Sequence, residues 1–290
     1  MSIFLDNYTR ILVQGITGKI GRVQTRWMLD YGTMIIAGVT PGKGGETVEG
    51  IPVFDSVDKG VRETGAEATI LFLPAAFVRD AFFEAVAAGI KRIVVVPEHV
   101  PVHDVMLMRR NALDHRVFAL GPTTPGIITP GRAKLGIMPA SLFAAGRIGV
   151  ISRSGTLAYE IAGIIVEAGA GQSTVVGMGA DPVVLTNMPD LLEMFERDVD
   201  TDAVVIVGEV GGMQEERAAE FIASRMTKPV AAYIAGRYAP EGKRMGHAGA
   251  IVRGNSGTVE HKRAVLDAAG VTLLDTPRDV TAWVRKHGLR

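Results

Sequence analysis

Ile11-Leu12-Val13-Gln14-Gly15-Ile16-Thr17-Gly18-Lys19-Ile20-Gly21 is the stretch that decides the fold. An aliphatic run that breaks into glycines reads as a strand turning tightly into a helix, and residues 19–31 carry apolar side chains at mixed three and four spacing. Such a turn leaves free amides at the positive end of a helix dipole, which suits a phosphate or pyrophosphate. The rhythm repeats outward. Apolar runs at 11–13, 34–38, 69–73, 92–96 and 117–120, with helical patterns at 75–88 and 102–114, predict a parallel, doubly wound sheet. A second series at 148–152, 174–177, 203–207, 230–234 and 271–274 predicts another, with helices over 156–168, 190–196, 213–224 and 259–269. Between them, residues 122–146 are rich in proline and glycine and have little apolar periodicity, which marks a domain junction. The expected organisation is 1–122, a junction at 123–146, and 147–290.

Composition narrows the class. The 290 residues suffice for two α/β domains, and 31 Lys plus Arg against 31 Asp plus Glu give no overall charge to draw nucleic acid or an anionic membrane. There is no cysteine, which excludes disulfides, thiolate metal sites and thiol catalysis. With neither a secretory signal pattern nor an apolar run of about 20 residues, a cytoplasmic protein is expected.

Chemistry concentrates at the ends of the predicted strands. The first turn departs from the dinucleotide fingerprint, because no acidic residue closes the second strand. Val39-Thr40-Pro41-Gly42-Lys43-Gly44-Gly45 stands there instead, and a lysine at that edge favours coenzyme A over NAD. Ser152-Arg153-Ser154-Gly155-Thr156-Leu157 repeats the strand-to-helix turn; Ser154, Gly155 and Thr156 read either as an ordinary N-cap or as donors to a phosphoryl group. Glu209, in Gly208-Glu209-Val210-Gly211-Gly212, follows an aliphatic strand, and Asp181 follows Gly179-Ala180 at what should be the same sheet edge. Gly246-His247-Ala248-Gly249-Ala250 sets an imidazole among residues too small to bury it, after a basic loop containing Pro240, Gly242, Lys243 and Arg244. His247 then reads as a phosphoryl-accepting nucleophile, with Glu209 holding its other ring nitrogen. No metal site is expected, since the remaining histidines lack ligand spacing.

These motifs, taken in order, closely resemble the α subunits of succinyl-CoA synthetase (succinate–CoA ligase). They are Gln14 to Gly18, Gly38 to Gly45, Ser152 to Leu157, Leu192-Glu193-Met194-Phe195-Glu196, Gly208 to Gly212 and Gly242 to Ala250. The resemblance implies a Rossmann-like CoA-binding domain followed by a flavodoxin-like ligase domain, both with mostly parallel sheets. It implies that His247 is phosphorylated, that Thr17, Gly18, Lys19, Ile20 and Lys43 meet CoA with Val96, Pro97 and Glu98 adding to the site, and that Tyr159 is associated with the substrate. It further implies an ATP-grasp β subunit that binds ATP or GTP with Mg²⁺, in an αβ or (αβ)₂ assembly. Departures from the family pattern at Pro97, Thr123, Thr124, Ala180 and 184–188 lie where the acyl group would be, so succinate is expected and malate or another small dicarboxylate is the alternative. A CoA-binding regulatory protein without turnover and a nicotinamide dehydrogenase are the remaining readings, the latter disfavoured by Lys43.

Overall fold

The computed structural model describes residues 3–237, 246–250 and 257–289. The loop residues Pro240, Gly242, Lys243 and Arg244 lie outside them. The first domain runs β1 (Ile11–Gln14), α1 (Lys19–Asp30), β2 (Ile35–Val39), β3 (Thr47–Val48), β4 (Ile51–Phe54), α2 (Val57–Thr64), β5 (Ala68–Leu71), α3 (Ala75–Ala87), β6 (Arg92–Val95), α4 (Val102–Asp114) and β7 (Phe118–Leu120). Its sheet order is β3-β4-β2-β1-β5-β6-β7, parallel except for the short β3–β4 pair. All four residues of β1 and of β5 are buried, as strands covered by helices on both faces must be.

The second domain contains β8 (Gly126–Thr129), β9 (Ala133–Gly136), β10 (Ala145–Ser152), α5 (Gly155–Glu167), β11 (Gln172–Gly177), α6 (Met188–Arg197), β12 (Ala203–Glu209), α7 (Gln214–Arg225), β13 (Val230–Ala235), α8 (Val259–Ala268), β14 (Thr272–Leu274) and α9 (Val280–Lys286). Its sheet is ordered β14-β13-β12-β10-β11-β8-β9, parallel from β14 to β11 and antiparallel at β8 and β9. The two mostly parallel α/β sheets match the sequence reading. Among the described residues no helix is long and apolar enough to cross a membrane.

Three stretches carry more structure than their sequence signals suggested. Residues 47–64 hold β3, β4 and α2, whose two- and four-residue strands, interrupted by Gly50 and Pro52, are too short for periodicity to register. The proline- and glycine-rich stretch contains the β8–β9 hairpin, whose paired Gly126 and Gly136 have φ of 94° and 146°. A Cβ on either would run into the opposing strand, so glycine is required there for close approach and not for a flexible link. The last helix, α9, buries Trp283 and Val284 on about two turns, below the length at which an amphipathic pattern stands out.

The hairpin joins the domains. Thr33 Oγ1 donates to the Lys134 carbonyl at 2.8 Å and accepts from its N–H at 3.0 Å, and Thr129 Oγ1 donates to the Leu5 carbonyl at 2.9 Å. Near the C-terminal strand ends, the Leu185 N–H donates to the Gly121 carbonyl at 2.9 Å and Thr186 Oγ1 to the Ala119 carbonyl at 2.6 Å. The carboxyl ends of the two sheets are thereby held against each other, where open α/β folds place ligands.

Candidate active site

Arg153, Glu209 and Asp181 leave the carboxyl ends of three adjacent strands, β10, β12 and β11, and converge on His247. All seven residues of β12 are buried, so Glu209 emerges from the sheet with its side chain only 7% exposed. Gly249 seats the histidine loop by donating its N–H to the Ala180 carbonyl at 3.0 Å, and a Cβ there would meet that carbonyl and the Arg153 guanidinium. His247 Nδ1 lies 2.5 Å from Glu209 Oε2. This hydrogen bond raises the imidazole above its ordinary pKa, against a smaller opposing effect of burial. With Nδ1 held, Nε2 is the ring nitrogen left for chemistry, and the ring, 35% exposed, remains open to a reactant.

Two cavities meet at this pair and a third lies beyond them. One of about 730 Å³ is lined by Ser154, Leu157, Glu209, Arg237 and His247. A second, of about 480 Å³, meets the other side of His247 and is lined by Pro97, Glu98, Thr123, Thr156 and Tyr159. A third, of about 410 Å³, lies over the start of α1 between Gly18, Lys19, Ile20, Phe72, Val96 and Pro97. Because Val96 and Pro97 line both the second and the third, the turn of α1 and the histidine lie at opposite ends of one continuous depression.

The remaining residues singled out by the sequence fall at identifiable places along it. Gly15 makes the turn with φ of 79°, where a Cβ would run into the Phe72 carbonyl. Gly18 is the N-cap of α1, and Thr17 Oγ1 donates to Thr40 Oγ1 at 3.1 Å, tying the first turn to the second strand end. Ser154 caps α5 by accepting from the Leu157 N–H at 3.4 Å, so its hydroxyl serves the helix while the helix end faces the His247 cavity. Burial pushes the Tyr159 phenol up to about 12, keeping it a donor at any working pH. Burial also raises the Asp181 carboxyl, which accepts from Thr123 Oγ1 at 2.9 Å. Lys43 stands apart: its Nζ is 2.9 Å from Glu46 Oε1 on an exposed loop, outside the lining of the α1 cavity.

One part of the site was not visible in the sequence. Arg153 Nη2 pairs with Glu209 Oε1 at 3.1 Å, an ion pair and not a well-aligned hydrogen bond. Its Nη1 donates to the Gly211 carbonyl at 2.8 Å and to Glu215 Oε1 at 3.1 Å. Behind it, Lys262 is wholly buried against Glu215 and Glu216. The two glutamates at the start of α7 and the lysine in a charged helix read as a solvated surface; only their distance-spanning pairing reveals otherwise.

A turn suited to phosphate in one α/β domain, a carboxylate-held histidine in the next and a depression joining them define a CoA-ligase type of chain. Residues 6–99 match the family model of the CoA binding domain and residues 151–272 that of CoA-ligase. The chain is 51% identical over 286 residues to the succinate–CoA ligase [ADP-forming] subunit alpha 1 of Archaeoglobus fulgidus, covering 99% of this chain and 98% of the relative. It is 53% identical over 283 residues to the corresponding alpha subunit of Methanothermobacter thermautotrophicus, covering 98% and 96%. The chain belongs to the succinate–CoA ligase α-subunit family. The fold is shared with ATP citrate lyase from Methanothrix soehngenii, solved with citrate and coenzyme A, at a TM-score of 0.88 and 23% identity; the match covers 98% of this chain and 51% of that one, about half its length.

Proposed function

We propose that this chain is the catalytic α subunit of a reversible, nucleotide-dependent ligase that joins succinate to coenzyme A, acting in the cytoplasm with an ATP-grasp β subunit as αβ or (αβ)₂. The observation that carries the reading is the 2.5 Å contact between His247 Nδ1 and Glu209 at the meeting of two cavities. Glu209 fixes the tautomer and offsets the charge the ring gains when Nε2 takes a phosphoryl group from the nucleoside triphosphate, which leaves as the diphosphate. The N-terminus of α5, at Ser154, Gly155 and Thr156, offsets the phosphoryl charge by about 0.3–1 kcal/mol, and up to ~2 where partly buried. His247 then releases the phosphoryl to a substrate carboxylate oxygen, and attack of the CoA sulfur on the acyl carbon expels phosphate and leaves the thioester. The β subunit supplies the nucleotide, ATP or GTP, with Mg²⁺ to neutralise its phosphates.

For CoA, the α1 cavity fits on its own terms. The amides of Thr17, Lys19 and Ile20 would face a phosphate while Gly18 closes the turn by donating its own N–H to the Gly15 carbonyl at 3.1 Å, the apolar wall of Ile20, Phe72 and Val96 suits the rest of the carrier, Pro97 and Glu98 lead toward His247, and Lys43 adds charge beyond the cavity lining. Tyr159 donates to the acid in the cavity between. A 2-hydroxy dicarboxylate such as malate is the second reading, favoured by the hydroxyls of Thr123, Thr156 and Tyr159 along that cavity; kcat/KM compared across the two acids separates them.

The complex with the β subunit, given γ-labelled nucleoside triphosphate, should acquire an acid-labile, alkali-stable label on the α chain. His247→Ala should lose that label and at least about 1,000-fold of turnover. Label retained by the variant would remove the proposal.

A further inference from the structure

Five charged side chains, Arg153, Glu209, Glu215, Glu216 and Lys262, are buried together behind His247, none more than 7% exposed. Burying paired charges is weak as a source of stability, since apolar residues of the same volume commonly do as well. The arrangement has a directional consequence. Glu209 has two carboxylate oxygens: Oε2 takes His247 Nδ1, and Oε1 faces Arg153 Nη2. Arg153 also donates to the main-chain carbonyls of Glu209 and Gly211, and Glu215 accepts the Glu209 N–H at 3.0 Å. Both the backbone and the carboxylate of Glu209 are therefore tied to one guanidinium, which Glu215, itself paired with Lys262, holds from behind.

We infer that Arg153 is a positioning residue: it aims Glu209 at Nδ1 of His247, and its charge keeps the histidine–glutamate pair from retaining a proton on Nε2. The inference rests on the phosphohistidine reading above. Among the described residues, the charged groups acting on His247 are Glu209 from β12, Arg153 from β10, Glu98 beyond β6 and Asp181 beyond β11, with Arg237 farther along the same cavity wall. Three of the first four are carboxyls, which favour the protonated ring; among these described groups Arg153 opposes them. A protonated Nε2 has no lone pair for phosphoryl transfer, so the ring must lose that proton before it reacts.

Removing the cation raises the proton affinity of the coupled pair whichever member carries the proton. In the assembled complex, Arg153→Met should slow phosphohistidine formation near neutral pH by about 10–100-fold. The ascending limb of its pH profile should move to higher pH, so that part of the rate returns as pH rises, with KM for CoA unchanged. Arg153→Lys keeps the charge but gives one contact in place of several; its limb should stay where the wild type's is while its rate falls. If Arg153→Met does not assemble, Arg153→Lys carries the test, and a wild-type rate in it overturns the inference. A loss in Arg153→Met that is the same at every pH, or a change confined to KM for CoA, also overturns it, since either marks a merely structural role. Wild type that takes no label sinks the phosphohistidine reading and this inference together; labelled wild type with an unmoved limb sinks the inference only.

Discussion

The two ends of the depression are built by opposite means. At the α1 end the surface is mostly backbone and hydrocarbon: glycines, helix-start amides and exposed apolar side chains such as Ile20, with Lys19 the one charged residue among the described residues of the cavity lining and Lys43 paired with Glu46 outside it. At the β12 end nearly every group is ionisable, buried and paired to another that is far away in sequence, as Arg153 is to Glu209 and Glu215. The difference follows from what each end handles. A ligand that arrives whole is held by a preformed surface that needs little charge of its own, whereas a ring that gains and loses a phosphoryl group needs its charge answered at every step. Damage at the two ends should therefore separate, with one end losing affinity and the other losing rate.

The sharpest separation comes from Glu209→Gln. The amide keeps the shape but removes the anion on Nδ1, and phosphohistidine formation should fall by about 100–1,000-fold with KM for CoA unchanged. The pH dependence gives an independent check. The folded-state pKa of His247 is raised, so the stability it contributes is fully present below the unfolded value of about 6.5 and is lost as pH rises through the raised value. Melting temperatures measured from pH 5 to 9 should show that decline in the wild type and a flatter course in Glu209→Gln. The ascending limb of activity should move to lower pH, opposite to Arg153→Met. An equal loss of CoA affinity would mean that the two ends are not separable.

Gly15→Ala attacks the other end. The substitution forces a residue with φ of 79° to carry a Cβ into the Phe72 carbonyl, so the turn must open. A cost of about 1–3 kcal/mol in stability is expected. KM for CoA should rise about 10-fold or more while the wild-type phosphohistidine label persists, since binding is lost before chemistry. Loss of the label in a folded variant would show that the turn of α1 reaches the histidine end.

How far each end was legible follows from the same contrast. The α1 turn could be read because its strand end, glycines and helix start lie within Gln14 to Gly21, and local geometry is what sequence spacing encodes, although Thr40 and Phe72 complete its surroundings. His247 stood out among small residues in a glycine-rich loop and Glu209 beside glycines at a strand end, and the 2.5 Å contact between them joins two of the marked positions. The Arg153–Glu215–Lys262 cluster was invisible because each member looks solvated in its own helix or loop: Glu215 sits in the acidic first turn of α7, where a dipole explanation suffices, and Lys262 is flanked by His261 and Arg263. Nothing local distinguishes a lysine that faces water from one buried against two glutamates. The β8–β9 hairpin was missed for the opposite reason, because Gly126 and Gly136 look like punctuation when they are in fact the register of a strand pair.

Lys43 tests the comparison at its weakest point. Sequence spacing put it at the edge of the sheet as a phosphate partner, yet in the structure its ammonium is paired with Glu46, and both side chains are about half exposed, at 52% and 43%. An exposed ion pair contributes about 0–1 kcal/mol, so exchanging Glu46 for a ligand phosphate gains little beyond what is given up. Lys43→Ala should therefore raise KM for CoA only about two- to fivefold, leave kcat and Tm unchanged, and lose most of its effect at high ionic strength, where exposed charges are screened. An effect larger than that of Gly15→Ala, or one that persists in salt, would mean that Lys43 leaves Glu46 and is buried against the ligand. The α1 end would then rely on charge after all, and the contrast between the two ends would narrow to one of timing, with the cation paired only when the ligand is bound.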